Sequence, residues 1–228
     1  MKLNILLCDA RRALVVAALS TGLGVVGSVH VVAEPAQNAQ VAPDQSEQVT
    51  PTELVDAAFV EDLKVWLDVP VVRMTLKGRN EENAELAPGA VLKADQQWRA
   101  ETKSNDQPLI TAVLSSPLSS YLLRVQAGSL GLYSEIFVMD AKGLNAGQSA
   151  ITSDYWQGDE AKFQKTYDVG ASAVFIDDAE YHAETNTWRA QVNLTLADSA
   201  GAPIGAATVE LNLTELKRRQ ADHLAAGI

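Results

Sequence analysis

Two stretches late in the chain alternate apolar and polar residues without a break, and they constrain everything upstream. Trp188, Ala190, Val192, Leu194 and Leu196 alternate with Arg189, Gln191, Asn193 and Thr195. After a turn over residues 198–203, Ala207, Val209, Leu211 and Leu213 alternate with Thr208, Glu210 and Asn212. Successive side chains of a strand point to opposite faces, so this period makes two strands with one apolar and one polar face. The apolar face needs a cover. The polar face is either solvated or lines a pocket. A third stretch, Ile136-Phe137-Val138-Met139, is apolar at every position, the pattern of a strand covered on both sides. The reading places it beside residues 207–213 at the centre of an antiparallel sheet. Asp140-Ala141-Lys142-Gly143 then makes a tight turn, with Asp at its first position and Gly supplying a positive φ near its end. Residues 144–150 return as a second strand. Residues 174–176 and a small strand at Tyr181 complete the set.

The cover is helical. A helix starts at Pro51-Thr52-Glu53 and carries Leu54, Ala57, Ala58, Leu63, Val65 and Trp66, then Val71, Val72, Met74 and Leu76, as far as Lys77. Pro70 inside it kinks or interrupts it. Residues 80–85 read as a polar surface link. Helices follow over 88–101, 109–114 and 118–127, the last with a stripe of Leu118, Tyr121, Leu122 and Val125. A helix over 158–167 carries Phe163 and Tyr167 as core residues. Thr214-Glu215-Leu216 opens a short C-terminal helix, with Lys217, Arg218 and Arg219 as a solvated basic cluster.

The N-terminus has the form of a secretory signal. Lys2, Arg11 and Arg12 precede an apolar run over residues 13–32, and Val31-Val32-Ala33 offers a cleavage site before Glu34. The run is also long enough for a retained membrane anchor. Its glycines, small residues and His30 favour cleavage, giving a signal peptide over 1–33, a flexible leader over 34–50 rich in Ala, Gln, Pro and Ser, and a single domain over 51–228. Cleavage takes the 228-residue chain to 195 residues. It removes three basic residues and Asp9 from a chain of net charge −11, leaving −13, and it removes Cys8, the one cysteine. Thiolate chemistry and disulfides are thereby excluded from the mature chain. So acidic a protein is a poor partner for nucleic acid or anionic membranes. The expected location is the periplasm.

The order of features, a strand of the form FVMDAKG, a second strand, a SDYWQGDEAKF segment with its helix, and then the rest of an antiparallel sheet, resembles the Cache (PDC) family of PAS-like extracellular sensor domains of bacteria. The resemblance covers roughly residues 51–216 and is most specific over 135–163. It implies an α+β fold: a PAS-like five-stranded antiparallel sheet with a long N-terminal helix on one face and a ligand pocket on the other. It implies a receptor for a small-molecule ligand, with the segment after the second strand capping the pocket. The chain carries neither a second membrane span nor a kinase or methyl-accepting region after the domain. The expectation is therefore a stand-alone periplasmic sensor that signals through a separate membrane-bound protein. A homodimer through the N-terminal helix is a further expectation.

Tyr155 and Trp156 are the leading candidates for ligand contact, because each ring offers flat apolar area and one polar handle. The alternative is that both rings seal the core beneath the loop. Amino-acid-sensing Cache domains carry an arginine shortly before a Trp-Tyr pair. Here the order is Tyr155-Trp156 and the preceding residue is Asp154, which speaks against a clamp for an α-carboxylate. An anionic ligand needs another cation, with Arg124, Lys162 and Arg189 as candidates. Asp154 facing the pocket favours a ligand with an amine. Asp177, Asp178 and Glu180 match no regular calcium loop, and His182 and His223 have no partner at metal spacing, so neither metal nor cofactor is expected. No nucleophile–base set is visible, so the chain reads as a binding protein, not an enzyme. The competing reading is a protein-interaction module with a vestigial pocket.

Overall fold

Five of the chain's eight prolines sit at the first position of a helix, where the missing N–H costs nothing and the fixed φ already suits the helix. They punctuate the first half of the molecule. A computed structural model describes residues 50–226; the signal peptide read over 1–33 and all but the last residue of the leader lie outside them. In chain order the elements are α1 (Pro51–Leu54), α2 (Ala57–Leu67), α3 (Pro70–Asn83), α4 (Pro88–Glu101), α5 (Pro108–Leu114), α6 (Pro117–Gly128), β1 (Tyr133–Asp140), β2 (Asn145–Gln148), α7 (Ala161–Gln164), β3 (Val174–Ile176), β4 (Glu180–His182), β5 (Thr187–Ala197), β6 (Pro203–Asn212) and α8 (Leu213–Ala226).

Every strand pair is antiparallel, and the order across the sheet is β2-β1-β6-β5-β3, with short β4 continuing the edge of β5 that β3 occupies. The α+β class and the five positions across the sheet are as the sequence implies; β4 is the small strand expected at Tyr181. β1 and β6 pair in the middle, with Ile136 opposite Val209 and Met139 opposite Ala206.

The register turns the alternation into two surfaces. On one, the rungs Ile136–Val209–Val192 and Val138–Ala207–Leu194 run across β1, β6 and β5. They meet Leu63, Leu67, Val72 and Leu76 of α2 and α3, and Leu118 and Leu122 of α6, in the main core. Each such side chain contributes roughly 1.5–3 kcal/mol through burial, which fixes the face the helices cover. The opposite surface has the rungs Glu135–Glu210–Gln191, Phe137–Thr208–Asn193 and Met139–Ala206–Thr195. It grades from charged at one end to apolar at the other.

Four local expectations change. The single long helix is three: Asp56 ends the first turn and caps the next helix by accepting from the Phe59 amide at 2.8 Å, and Pro70 begins α3. The link expected over 80–85 is helical as far as Asn83. There Asn80 donates to the Ile204 carbonyl at 2.7 Å and Asn83 donates to Asp140 at 2.6 Å, tying α3 to β6 and to the β1–β2 turn. The helix expected over 158–167 is the one turn of α7, because Thr166, Asp168 and Gly170 favour turn geometry beyond it. Finally, α8 is long. Within the cluster read as solvated, Arg218 and Arg219 both pair with Glu215, and Arg219 donates to the Ser129 carbonyl at 2.7 Å, at the end of α6.

Candidate functional site

The graded face of the sheet decides where a ligand has room. At its apolar end Phe163 packs on Phe137, Met139 and Ala206, and Tyr167 stacks on Phe163 with ring centroids 4.9 Å apart. That contact anchors α7 and draws residues 149–160 across the sheet. The charged end stays open. Two adjoining cavities of about 240 and 170 Å³ lie there and share Lys162 and Gln191. Glu135, Phe137, Asp154 and Gln157 line the smaller; Glu160, Asp177, Arg189 and Glu210 are among those lining the larger.

Most charges in this groove are matched. Arg189 pairs with Glu210 at 2.8 Å. Lys162 pairs with Glu160 at 2.8 Å, donates to Gln157 at 3.3 Å and lies 5.4 Å from the centre of the Phe137 ring. Asp154 accepts from Gln157 at 3.0 Å and pairs with Arg99 of α4 at 3.0 Å. Asp177, Asp178 and Glu180 at the rim of the larger cavity have no cation partner among the described residues, with Asp178 and Glu180 exposed to water, whereas Glu135 is unpaired and half-buried. Its carboxyl takes no hydrogen bond or ion pair from any described residue, and in the sheet it stands directly opposite Glu210. Burial, with Glu210 adding to it, pushes this carboxyl up to about 7, while Lys162 and Arg189 pull it the other way.

Three of the five candidate residues, Asp154, Lys162 and Arg189, therefore meet in one groove. The two aromatics do not join them. Tyr155 is 2 % exposed, stacks on Trp98 with centroids 5.3 Å apart, and its hydroxyl accepts from Arg79 at 2.6 Å. It belongs to a second core with Val91, Ile110, Val113 and Leu144, beyond the β2 edge. The Trp156 ring turns to the β1–β2 turn, donating from Nε1 to the Lys142 carbonyl at 2.9 Å. A Cβ added at Gly158 would come within 2.4 Å of that nitrogen, so the indole lies flat on glycine backbone. Its free edge lines an apolar notch with Leu86, Pro88, Val91, Leu92 and Lys142. The expectation that one ring faces a cavity over the polar face is corrected. The reason is Asp95 of α4, whose carboxylate accepts from the backbone amides of both Tyr155 and Trp156, at 2.9 and 3.1 Å, and pulls the pair toward α4. Arg124 lies exposed on α6, outside the groove. Sequence reasoning did not single out Glu135, Gln157, Gln191 and Glu210 as site residues. The signal was present, because alternation through Phe137 and Met139 puts Glu135 on the face of Gln191 and Glu210.

No protein-family model matches the chain, and no curated protein matches its sequence. Among solved structures, the chain is similar to the ligand-binding domain of the Campylobacter jejuni chemoreceptor Tlp3 in complex with 4-methylisoleucine, at 11% identity and a TM-score of 0.34, covering 67% of this chain and 64% of that one. It is similar to the ligand-binding domain of the Pseudomonas aeruginosa amino acid chemoreceptor PctC in complex with GABA, at 13% identity and a TM-score of 0.36, covering 70% and 62%. It is also similar to the extracellular domain of a putative histidine kinase, rpHK1S-Z16, at 17% identity and a TM-score of 0.33, covering 52% of each chain. The likeness is to extracellular sensor domains. The chain spans between about half and two thirds of the length of these structures.

Proposed function

We propose that this protein is a small-molecule-binding sensor domain whose ligand site is the groove over the charged end of the polar sheet face. The observation that carries the reading is the pair of adjoining cavities, floored by Glu135, Glu210 and Gln191 and walled by Asp154 and Lys162. Concave sites with a few converging polar groups are where small ligands bind. The groove also sits beside the segment that Asp95 and Arg99 tie to α4, so a ligand touching Asp154 or Gln157 has a route to the helical layer. The proposal includes export to the periplasm after cleavage near Ala33 and a separate membrane-bound signalling partner. No helix among the described residues is long and apolar enough to cross a membrane. Intact mass of the exported protein tests the cleavage, with a start near Glu34 expected and a retained residues 1–33 against it.

The test of the site is a thermal-shift panel of amines, carboxylates, amino acids and purines against the purified protein and a Gln191→Trp variant. A ligand at a hundred times its Kd adds about 2.7 kcal/mol by mass action, or about 5–10 °C for a domain of this size. The expected result is a shift that the tryptophan plug removes. A shift that survives the plug rules out the groove. Silence across the panel favours the second reading, an interaction module, for which the notch at Trp156 is the specific support: Leu92 there is 48% exposed.

A further inference from the structure

We infer that the groove selects an organic ammonium ion and that Glu135 is its counter-ion, an inference that rests on the groove being the ligand site. Seven carboxylates line the two cavities, against Lys162 and Arg189. Both cations are already engaged, Lys162 by Glu160 and Arg189 by Glu210, each at 2.8 Å. Neither is available to clamp an anion without giving up its own partner. Asp154 is likewise taken by Arg99. What the groove leaves unmatched at its floor is negative.

Position singles out Glu135 among the carboxylates. It is half-buried on β1, directly opposite Glu210, and no described residue gives it a hydrogen bond or ion pair. Like charges opposed across neighbouring strands repel, and a carboxylate withdrawn from water without a partner is costly. A cation placed in the adjoining cavity relieves both. The cation is an organic one. Ile151, 47% exposed, lines the same cavity as Glu135 and gives apolar surface to a carbon skeleton, while the amide oxygen of Gln191 offers an acceptor to an ammonium. A bare metal ion lacks its ligands, since no group of three His, Cys, Asp or Glu side chains suited to one is present among the described residues.

A proton competes for the same seat. With its carboxyl pushed up to about 7, free Glu135 is protonated in mildly acidic solution and offers an ammonium nothing. Glu210 on β6 and Asp154 in the capping segment raise it; Lys162 of α7 and Arg189 of β5 lower it. Ammonium affinity therefore weakens as pH falls below 7 and levels off above it. His182 of β4 also lines the larger cavity, so Glu135→Gln is the control that assigns the pH dependence to Glu135.

Isothermal titration with putrescine, ethanolamine and choline, beside 1,4-butanediol and succinate, tests the inference between pH 5.5 and 8.5. At least one amine should bind and the diol and succinate should not. Amine affinity should fall roughly tenfold per pH unit below 7. Glu135→Gln should weaken binding at least tenfold, flatten the pH dependence and leave the melting temperature no lower. If that variant fails to fold, carboxyl ¹³C NMR of the wild-type protein serves instead: Glu135 should titrate near neutrality, and the binding amine should shift it to lower pH. Binding of succinate, abolished by Gln191→Trp, would leave the groove as the site and overturn the ammonium. Binding that survives Gln191→Trp would overturn the site itself. No binding by any of the three amines, or a Glu135 that titrates like an ordinary carboxylate, would also overturn the inference.

Discussion

Glu135 illustrates how a single residue can carry opposite meanings for stability and for binding. Folding raises its carboxyl from 4.5 to about 7, so its ionisation opposes folding. The penalty is absent below 4.5, grows between 4.5 and 7, and is complete above 7. Partial exposure tempers it. Glu135→Gln should therefore stabilise the protein by about 1–3 kcal/mol at pH 8 and by almost nothing at pH 4.5. Urea unfolding of both forms at the two pH values measures this, and an equal effect at both would mean that the carboxyl is not perturbed. The residue was hard to see in the sequence because it borders Ile136-Phe137-Val138-Met139, where an unbroken apolar run hides the parity of the strand. The aromatic pair misled for the opposite reason. Tyr155-Trp156 stands out in a polar loop, but its seating depends on Asp95, sixty residues earlier, which holds both backbone amides. No local pattern announces that contact. Asp154, Lys162 and Arg189 do line the groove, because charge near a polar strand face has few other places to go.

Among elements, legibility follows the strength of the local signal. The helices begun by Pro88, Pro108 and Pro117 end close to where they were read, because proline fixes the start and Ser, Thr or Gly marks the stop. The alternating strands β5 and β6 were equally clear. The helix over 51–77 broke in one place beyond Pro70, because Asp56 is a better cap than a helix interior residue. The segment from β2 to α7 was the least legible, since it is held by the β1–β2 turn and by α4, both distant. Gly143 there has φ +78°, and a Cβ on it would lie 2.7 Å from the Gly158 backbone, so turn and segment touch at backbone level. Trp156 closes that contact. Trp156→Ala should lower stability by about 1–3 kcal/mol, below the cost of emptying a fully buried aromatic site, and leave ligand affinity in the groove unchanged. Chemical unfolding paired with titration of whichever ligand the panel yields separates the two. A loss of affinity with stability intact would return the indole to the site.

Across the whole molecule, the two faces of one sheet divide the labour. The apolar face binds α2, α3, α6 and α8 into the main core, and the graded face keeps its apolar end for α7 and leaves its charged end open. The chain as a whole carries a net charge of −11. A cation approaching the groove therefore meets a negative field well before it meets Glu135. Long-range attraction acts on encounter and is screened by salt, with a Debye length of about 30 Å at 0.01 M and about 8 Å at 0.15 M. The contact with a half-buried carboxylate acts after arrival, inside that distance, and is screened far less. The two should separate in stopped-flow kinetics with putrescine. Raising sodium chloride from 10 to 300 mM (about a fivefold contraction of the Debye length) should slow association several-fold and change dissociation little. Glu135→Gln should do the reverse, speeding dissociation and leaving association nearly as it was, because one charge among many contributes little to the distant field. If salt acts instead on dissociation, the attraction is local to the groove and the acidity of the rest of the surface plays no part in capture.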